Sequence, residues 1–254
     1  MLVTQDLTIR FGGHVAVNAV SCAFAPGTLT AIVGPNGAGK TTYFNLISGQ
    51  LKASAGTVSL NGRELSGLSP SARTHAGLGR AFQLTNLFPN LTVLENVRLA
   101  VQATRAGAHR RGLNLWSIWS DHRALTERAD ELLREINLKA KEHATVASLP
   151  HGDQRKLEVA LLMALEPQVF MFDEPTAGMN AAEAPVILDL IRRLKQDKTK
   201  TILLVEHKMD VVRELADRII VLHNGTLVAD GEPAEVIASP IVQEAYLGVA
   251  KEAA

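Results

Sequence analysis

The chain has 254 residues, 46% of them hydrophobic, and its 26 Lys and Arg balance its 26 Asp and Glu. That length and apolar content allow one large core or a core with a subdomain, and the charge balance gives no basic footprint for nucleic acid. Cys22, the single cysteine, excludes an intrachain disulfide and suits a reducing compartment. No leader pattern opens the sequence and no apolar run approaches the roughly 18 residues of a membrane span, so the chain is expected to be soluble, with any membrane role coming through a partner.

Short β-like segments come first, near Val3–Arg10, Val17–Ala25 and Thr57–Asn61, and predict an antiparallel flank. Between them, Leu29–Val33 reads as a buried strand, followed by a glycine loop and a helix from Thr42. From Phe88 the texture becomes helical. Thr92-Val93-Leu94-Glu95 is a capping box opening an amphipathic helix to about Thr104. Ala106–Asp121, with His109-Arg110-Arg111, Trp116 and Trp119, reads as a loop, and Ala124–Leu138 as a helix. Val169–Phe172 predicts a buried strand that delivers Asp173 and Glu174 at its C-terminal edge, where open α/β sheets place ligands. A helix near Ala181–Lys195, the strand Thr201–Val205 and a hairpin at Asn224-Gly225 complete the pattern. Strands alternating with helices give an α/β fold with a mostly parallel sheet. The expected organisation is a nucleotide-binding core from 1–87 and 154–254, with 88–153 as a mainly helical insert.

The chemistry is concentrated in Gly34-Pro35-Asn36-Gly37-Ala38-Gly39-Lys40-Thr41. This is a complete G-x-x-x-x-G-K-[ST] phosphate loop in its strand–loop–helix context. The backbone N–H groups of Asn36, Gly37, Ala38, Gly39, Lys40, Thr41 and Thr42 are candidates to cradle phosphates at a helix N-terminus. Lys40 can reach the β- and γ-phosphates, and the Thr41 hydroxyl can ligate Mg²⁺. Asp173 is placed to hold Mg²⁺, Glu174 to polarise a water as general base, and His207, after a buried strand, to contact a γ-phosphate. ATP and Mg²⁺ are the implied ligands. No Asn-Lys-x-Asp guanine-reading sequence occurs, which disfavours a GTPase.

These motifs together resemble the ATP-binding cassette family of transport ATPases over nearly the whole chain. The resemblance implies a P-loop NTPase (RecA-like) core. It makes the glycine loop Walker A and Val169–Glu174 Walker B with its catalytic glutamate. Gln83 becomes the Q-loop glutamine, sensing γ-phosphate and metal, and His207 the switch histidine. Phe11, with Val17 close behind it, becomes the adenine-facing position. Ala177-Gly178-Met179-Asn180 lies where the family has its D-loop. The narrower likeness is to the larger ATP-binding subunit of branched-chain amino acid importers. It is carried by Phe11-Gly12-Gly13, Leu87-Phe88-Pro89, Leu157-Glu158-Val159-Ala160, Val205–Val212 and the terminal Ala245-Tyr246-Leu247-Gly248. It implies two transmembrane permeases, a second ATP-binding subunit in a heterodimer or homodimer, and a periplasmic substrate-binding protein. It also implies a peripheral position on the cytoplasmic face of the inner membrane.

The family's Leu-Ser-Gly-Gly-Gln signature stands here as Leu149-Pro150-His151-Gly152-Asp153. The resemblance implies that Pro150, His151, Gly152 and Asp153 face the ATP of the opposite subunit. Pro150 brings neither the serine hydroxyl nor an N–H, and Asn180 replaces the usual D-loop aspartate. Other cargoes (urea, amides, aromatic acids) and a soluble cassette ATPase acting on ribosome or DNA are the alternative functions.

Overall fold

The computed structural model describes residues 1–81, 87–108, 122–240 and 242–243, with backbone alone at 104–108 and 122–124. The chain forms two compact units: Met1–Arg80 with Gln168–Glu174 and Lys195–Ala254, and Ala81–Pro167 with Pro175–Leu194. The boundary expected after Asp153 falls in the first turn of a continuous helix, His151–Ala164.

The first unit is built on two sheets. β1 (Leu2–Phe11) pairs antiparallel with β2 (His14–Phe24) and with β4 (Ala55–Leu60). The short β5 (Arg63–Glu64) completes the order β2-β1-β4-β5. Asp6 and Ala19, both with positive φ, sit at register shifts between β1 and β2, as β-bulges require. The second sheet runs β10-β9-β3-β8-β7-β6. Here β3 is Leu29–Val33, β6 Leu78–Ala81, β7 Val169–Asp173, β8 Thr201–Val205, β9 Arg218–His223 and β10 Thr226–Gly231. The expected hairpin joins β9 and β10, with Asn224 at φ 48° and Gly225 at φ 76°, the left-handed pair a tight turn needs. β7, β8, β3 and β9 are parallel neighbours. Of these, β3, β8 and β7 are buried at every position, which is why their sequences read as largely unbroken apolar runs.

Helix α1 (Lys40–Ser48) buries Tyr43, Phe44, Leu46 and Ile47 in the core that also takes Ile32, Met171 and Leu203. A short helix α2 (Pro70–His75) starts at Ser69, whose hydroxyl accepts from Ala72 N–H. α7 (Met209–Leu215) and α8 (Pro233–Ala238) cover the β9 side, where Val212 and Val236 meet Ala31, Val33 and Val221.

In the second unit, α3 (Val93–Ala108), α4 (His122–Glu135) and α5 (His151–Ala164) pack on one another. Val97, Leu132, Leu133, Leu157 and Ala160 are buried. The capping box is made: Glu95 accepts from Thr92 N–H, and Thr92 Oγ1 accepts from Glu95 N–H. Asn96, buried, accepts from Phe88 N–H and donates to the carbonyls of Phe88 and Thr92, holding the turn that enters α3. The charged face of α4 carries the pair Arg134–Asp130 at i,i+4 and Arg128–Glu131 at i,i+3. α6 (Ala184–Gln196) begins in this unit.

Candidate nucleotide-hydrolysis site

The loop between β3 and α1 is held from below by backbone. Ala38 N–H donates to Pro35 O, Gly225 N–H to Ala38 O and Asn18 N–H to Gly225 O. Gly39 caps α1 at φ 97°, and a Cβ there would meet the Ala16 carbonyl at 2.6 Å, so only glycine permits this approach. Asn36 and Gly37 are exposed at the lip, and Ala38 is buried. Thr41 and Thr42 follow in the first turn of α1, both partly accessible. Lys40 Nζ donates to Gly34 O at 2.6 Å and to Pro35 O at 2.9 Å. Burial pushes its pKa down, against the raising effect of Glu174 and Asp173.

The two carboxylates beyond β7 have opposite settings. Asp173 is the last residue of the strand, its side chain fully buried and paired with Arg80, whose Nη2 lies 2.8 Å from Asp173 Oδ2. Desolvation raises the Asp173 carboxyl, and Arg80 works against that rise. Asp173 Oδ1 is buried and has no hydrogen-bond partner among the described residues. An unpartnered carboxylate oxygen in a dry site is costly unless a cation or water completes it. Glu174 instead turns out of the strand at φ 50° while its N–H donates to Val205 O at 2.9 Å. That conformation is rare for a long side chain and stores about 1–3 kcal/mol. Glu174 Oε1 lies 2.5 Å from His207 Nε2, with side-chain exposures of 26% and 42%. His207 is held in turn, since its N–H and that of Lys208 donate to the buried Glu206 carboxylate.

Of the nucleobase candidates, Phe11 ends β1 and is 50% exposed, while Val17 is fully buried in the core. Its Cγ2 would lie 3.6 Å from a Cβ at Gly39, so Val17 backs the loop.

In the second unit, Pro150 is the residue before the first turn of α5 and is exposed, as is His151. Gly152 is buried, and a Cβ there would fall 2.2 Å from Glu183 Oε2, so glycine lets that carboxylate lie against the helix start. Asp153 is buried and committed: Lys141 reaches Oδ2 at 2.5 Å and Lys156 reaches Oδ1 at 2.9 Å. Asn180 Oδ1 accepts from the N–H groups of Ala182 and Glu183, forming a turn ahead of α6.

The first unit thus brings together Lys40, Asp173, Glu174 and His207. Gln83, the loop at 109–121 and the terminal Ala245–Gly248 lie outside the described residues. Sequence reasoning missed Arg80. Nothing in Leu78-Gly79-Arg80-Ala81 marks an arginine as buried, because its acceptors come from α1 and β7.

A family model for the ABC transporter covers residues 17–177. The chain belongs to the ABC transporter family as an ATP-binding cassette. A second model, the branched-chain amino acid ATP-binding cassette transporter, matches residues 226–252. The chain is 38% identical over 251 residues to the high-affinity branched-chain amino acid transport ATP-binding protein LivG of Salmonella typhimurium, covering 98% of each. It is 36% identical over 251 residues to BraF of Pseudomonas aeruginosa, again covering 98% of each. Among solved structures it is similar to MJ1267, an ATP-binding cassette in its ADP conformation, with TM-score 0.80, 29% identity and 98% of each chain covered. A nucleotide-free cassette gives TM-score 0.80 at 28% identity, over 97% of this chain and 98% of that one. The expected P-loop NTPase fold is therefore correct, and the cassette is an ATPase serving a transport system with membrane permease partners. Among the described residues no helix is long and apolar enough to cross a membrane.

Proposed function

We propose that this cassette hydrolyses ATP to drive uptake of branched-chain amino acids. Its position is the cytoplasmic face of the cell membrane, beneath two permeases, beside a second ATP-binding subunit, with a periplasmic binding protein delivering cargo. The observation that carries the hydrolytic part is the Glu174–His207 hydrogen bond beside the lysine of a complete phosphate loop. LivG and BraF, similar over nearly their full lengths, support the cargo.

The α1 N-terminus and its loop N–H groups receive the phosphates, and Lys40 trades its two loop carbonyls for phosphate oxygens. Glu174 takes a proton from the attacking water. His207 holds the Glu174 carboxylate in place and lies within reach of the γ-phosphate. Among the described residues no cluster of three or more His, Cys, Asp or Glu forms a metal cage. The oxygen donors of Thr41 and Asp173 beside the phosphate loop fit Mg²⁺, which takes one or two protein ligands and the rest from phosphates and water. Thr41 and the unpartnered Oδ1 of Asp173 would hold it, with Gln83 the third candidate. The chemistry Mg²⁺ would supply there is neutralisation of charge on the phosphates. Phe11, exposed at the end of β1, stacks on adenine. In the cassette pair, Pro150, His151, Gly152 and Asp153 of one chain face the ATP of the other.

The test is Glu174→Gln in the complex reconstituted with its permeases in proteoliposomes. ATP binding stays near wild type, hydrolysis falls about 10²–10⁴-fold, and leucine uptake falls with it. Retained hydrolysis overturns the assignment of the base. Wild-type hydrolysis that no branched-chain amino acid stimulates overturns the cargo.

A further inference from the structure

The Arg80 guanidinium joins both sides of the hydrolytic site. Its Nη2 donates to Asp173 Oδ2 at 2.8 Å, and its Nη1 to Asn45 Oδ1 at 2.6 Å, Ser48 Oγ at 3.0 Å and Gln50 Oε1 at 3.4 Å. Asn45 and Ser48 are on α1, the helix whose first turn carries Lys40 and Thr41. The guanidinium also lies over the Phe44 ring, 5.6 Å from its centroid. Its side chain is 5% exposed. A single rigid fork thus ties the strand that delivers Asp173 to the helix that delivers Thr41. It occupies one carboxylate oxygen of Asp173 and leaves the other, Oδ1, without a partner among the described residues.

We propose that Arg80 is a positioning residue for the metal–nucleotide complex: it fixes Asp173 by Oδ2, so that Oδ1 is the oxygen offered to the metal, at a set spacing from Thr41. The proposal rests on the ATPase reading above. Two features argue for positioning over plain scaffolding. Outer partners that orient a carboxylate ligand govern metal affinity, and a planar fork specifies direction where a lysine supplies only a point charge.

The test compares wild type, Arg80→Met and Arg80→Lys in two measurements. One is binding of a fluorescent ATP analogue in EDTA. The other is Mn²⁺ binding to the nucleotide-loaded chain, followed by electron paramagnetic resonance. Metal-free nucleotide affinity is expected to hold within about twofold in both variants, while Mn²⁺ affinity drops about 10- to 100-fold. Removing one partner of a buried pair strains folding. If Arg80→Met does not fold, Arg80→Lys, which keeps the charge, decides. Unchanged Mn²⁺ affinity overturns the proposal. So does an equal loss in both measurements, which would make Arg80 a general support of the loop. A wild-type chain that binds no nucleotide would instead overturn the ATPase reading.

Discussion

Asp173 and Glu174 are adjacent carboxylates that the backbone sends to different environments. The strand ends with Asp173 closed inside the sheet against Arg80, and a left-handed φ at Glu174 turns the next side chain outward to His207. A buried, ion-paired carboxylate is a poor proton acceptor for a substrate water, whereas a partly exposed one held by a histidine is suited to it. His207→Ala removes that hydrogen bond. Turnover is expected to fall about 10- to 100-fold, the kinetic equivalent of about 1.5–3 kcal/mol for a bond to a charged group. Nucleotide affinity should change far less, and steady-state ATPase assays alongside equilibrium binding check the split. Unchanged turnover would mean that Glu174 keeps its orientation without His207.

At the scale of elements, the start of α5 has a titratable anchor. Burial raises the Asp153 carboxyl, but Lys141 and Lys156 together outweigh it and hold the group below its ordinary value. A depressed carboxyl contributes stability that is complete above the unfolded pKa and is lost as pH falls through the folded one. Asp153→Asn is therefore expected to cost about 1.5–3 kcal/mol at neutral pH. The gap between variant and wild type narrows below pH of about 4. Urea unfolding of both proteins at several pH values measures it, and a gap that does not depend on pH would contradict the role of the charge.

Elements with local signals were legible: the phosphate loop between β3 and α1, the capping box of α3, the Asn224–Gly225 hairpin and the apolar strands β7 and β8. Asp153 and Arg80 show the limit. The first stands in the signature sequence, and nothing in that sequence marks its side chain as bound by Lys141 and Lys156. The second carries no mark of burial in its own segment, Leu78-Gly79-Arg80-Ala81. Both depend on partners distant in sequence, and the pairing of such groups leaves no periodic trace. The short β5 and β6 were missed because two to four residues carry too little pattern.

The whole molecule, read as half of a cassette pair, carries an asymmetry in Pro150. Without a hydroxyl or an N–H at that position, an ATP bound by the partner and facing this chain's signature, as proposed above, would lose a donor. That ATP is expected to be hydrolysed slowly, while the one held by this chain's own loop turns over fast. In the reconstituted heterodimer, Glu174→Gln should cost more activity than the matching substitution in the partner subunit; equal losses would contradict the asymmetry.

The claim that this ATPase powers an importer is tested most directly by purifying the tagged chain from detergent-solubilised native membranes and identifying what accompanies it by mass spectrometry. Two polytopic permeases and a second cassette subunit are the predicted companions. Recovery with ribosomes, with DNA-bound factors or with no membrane protein would contradict the account.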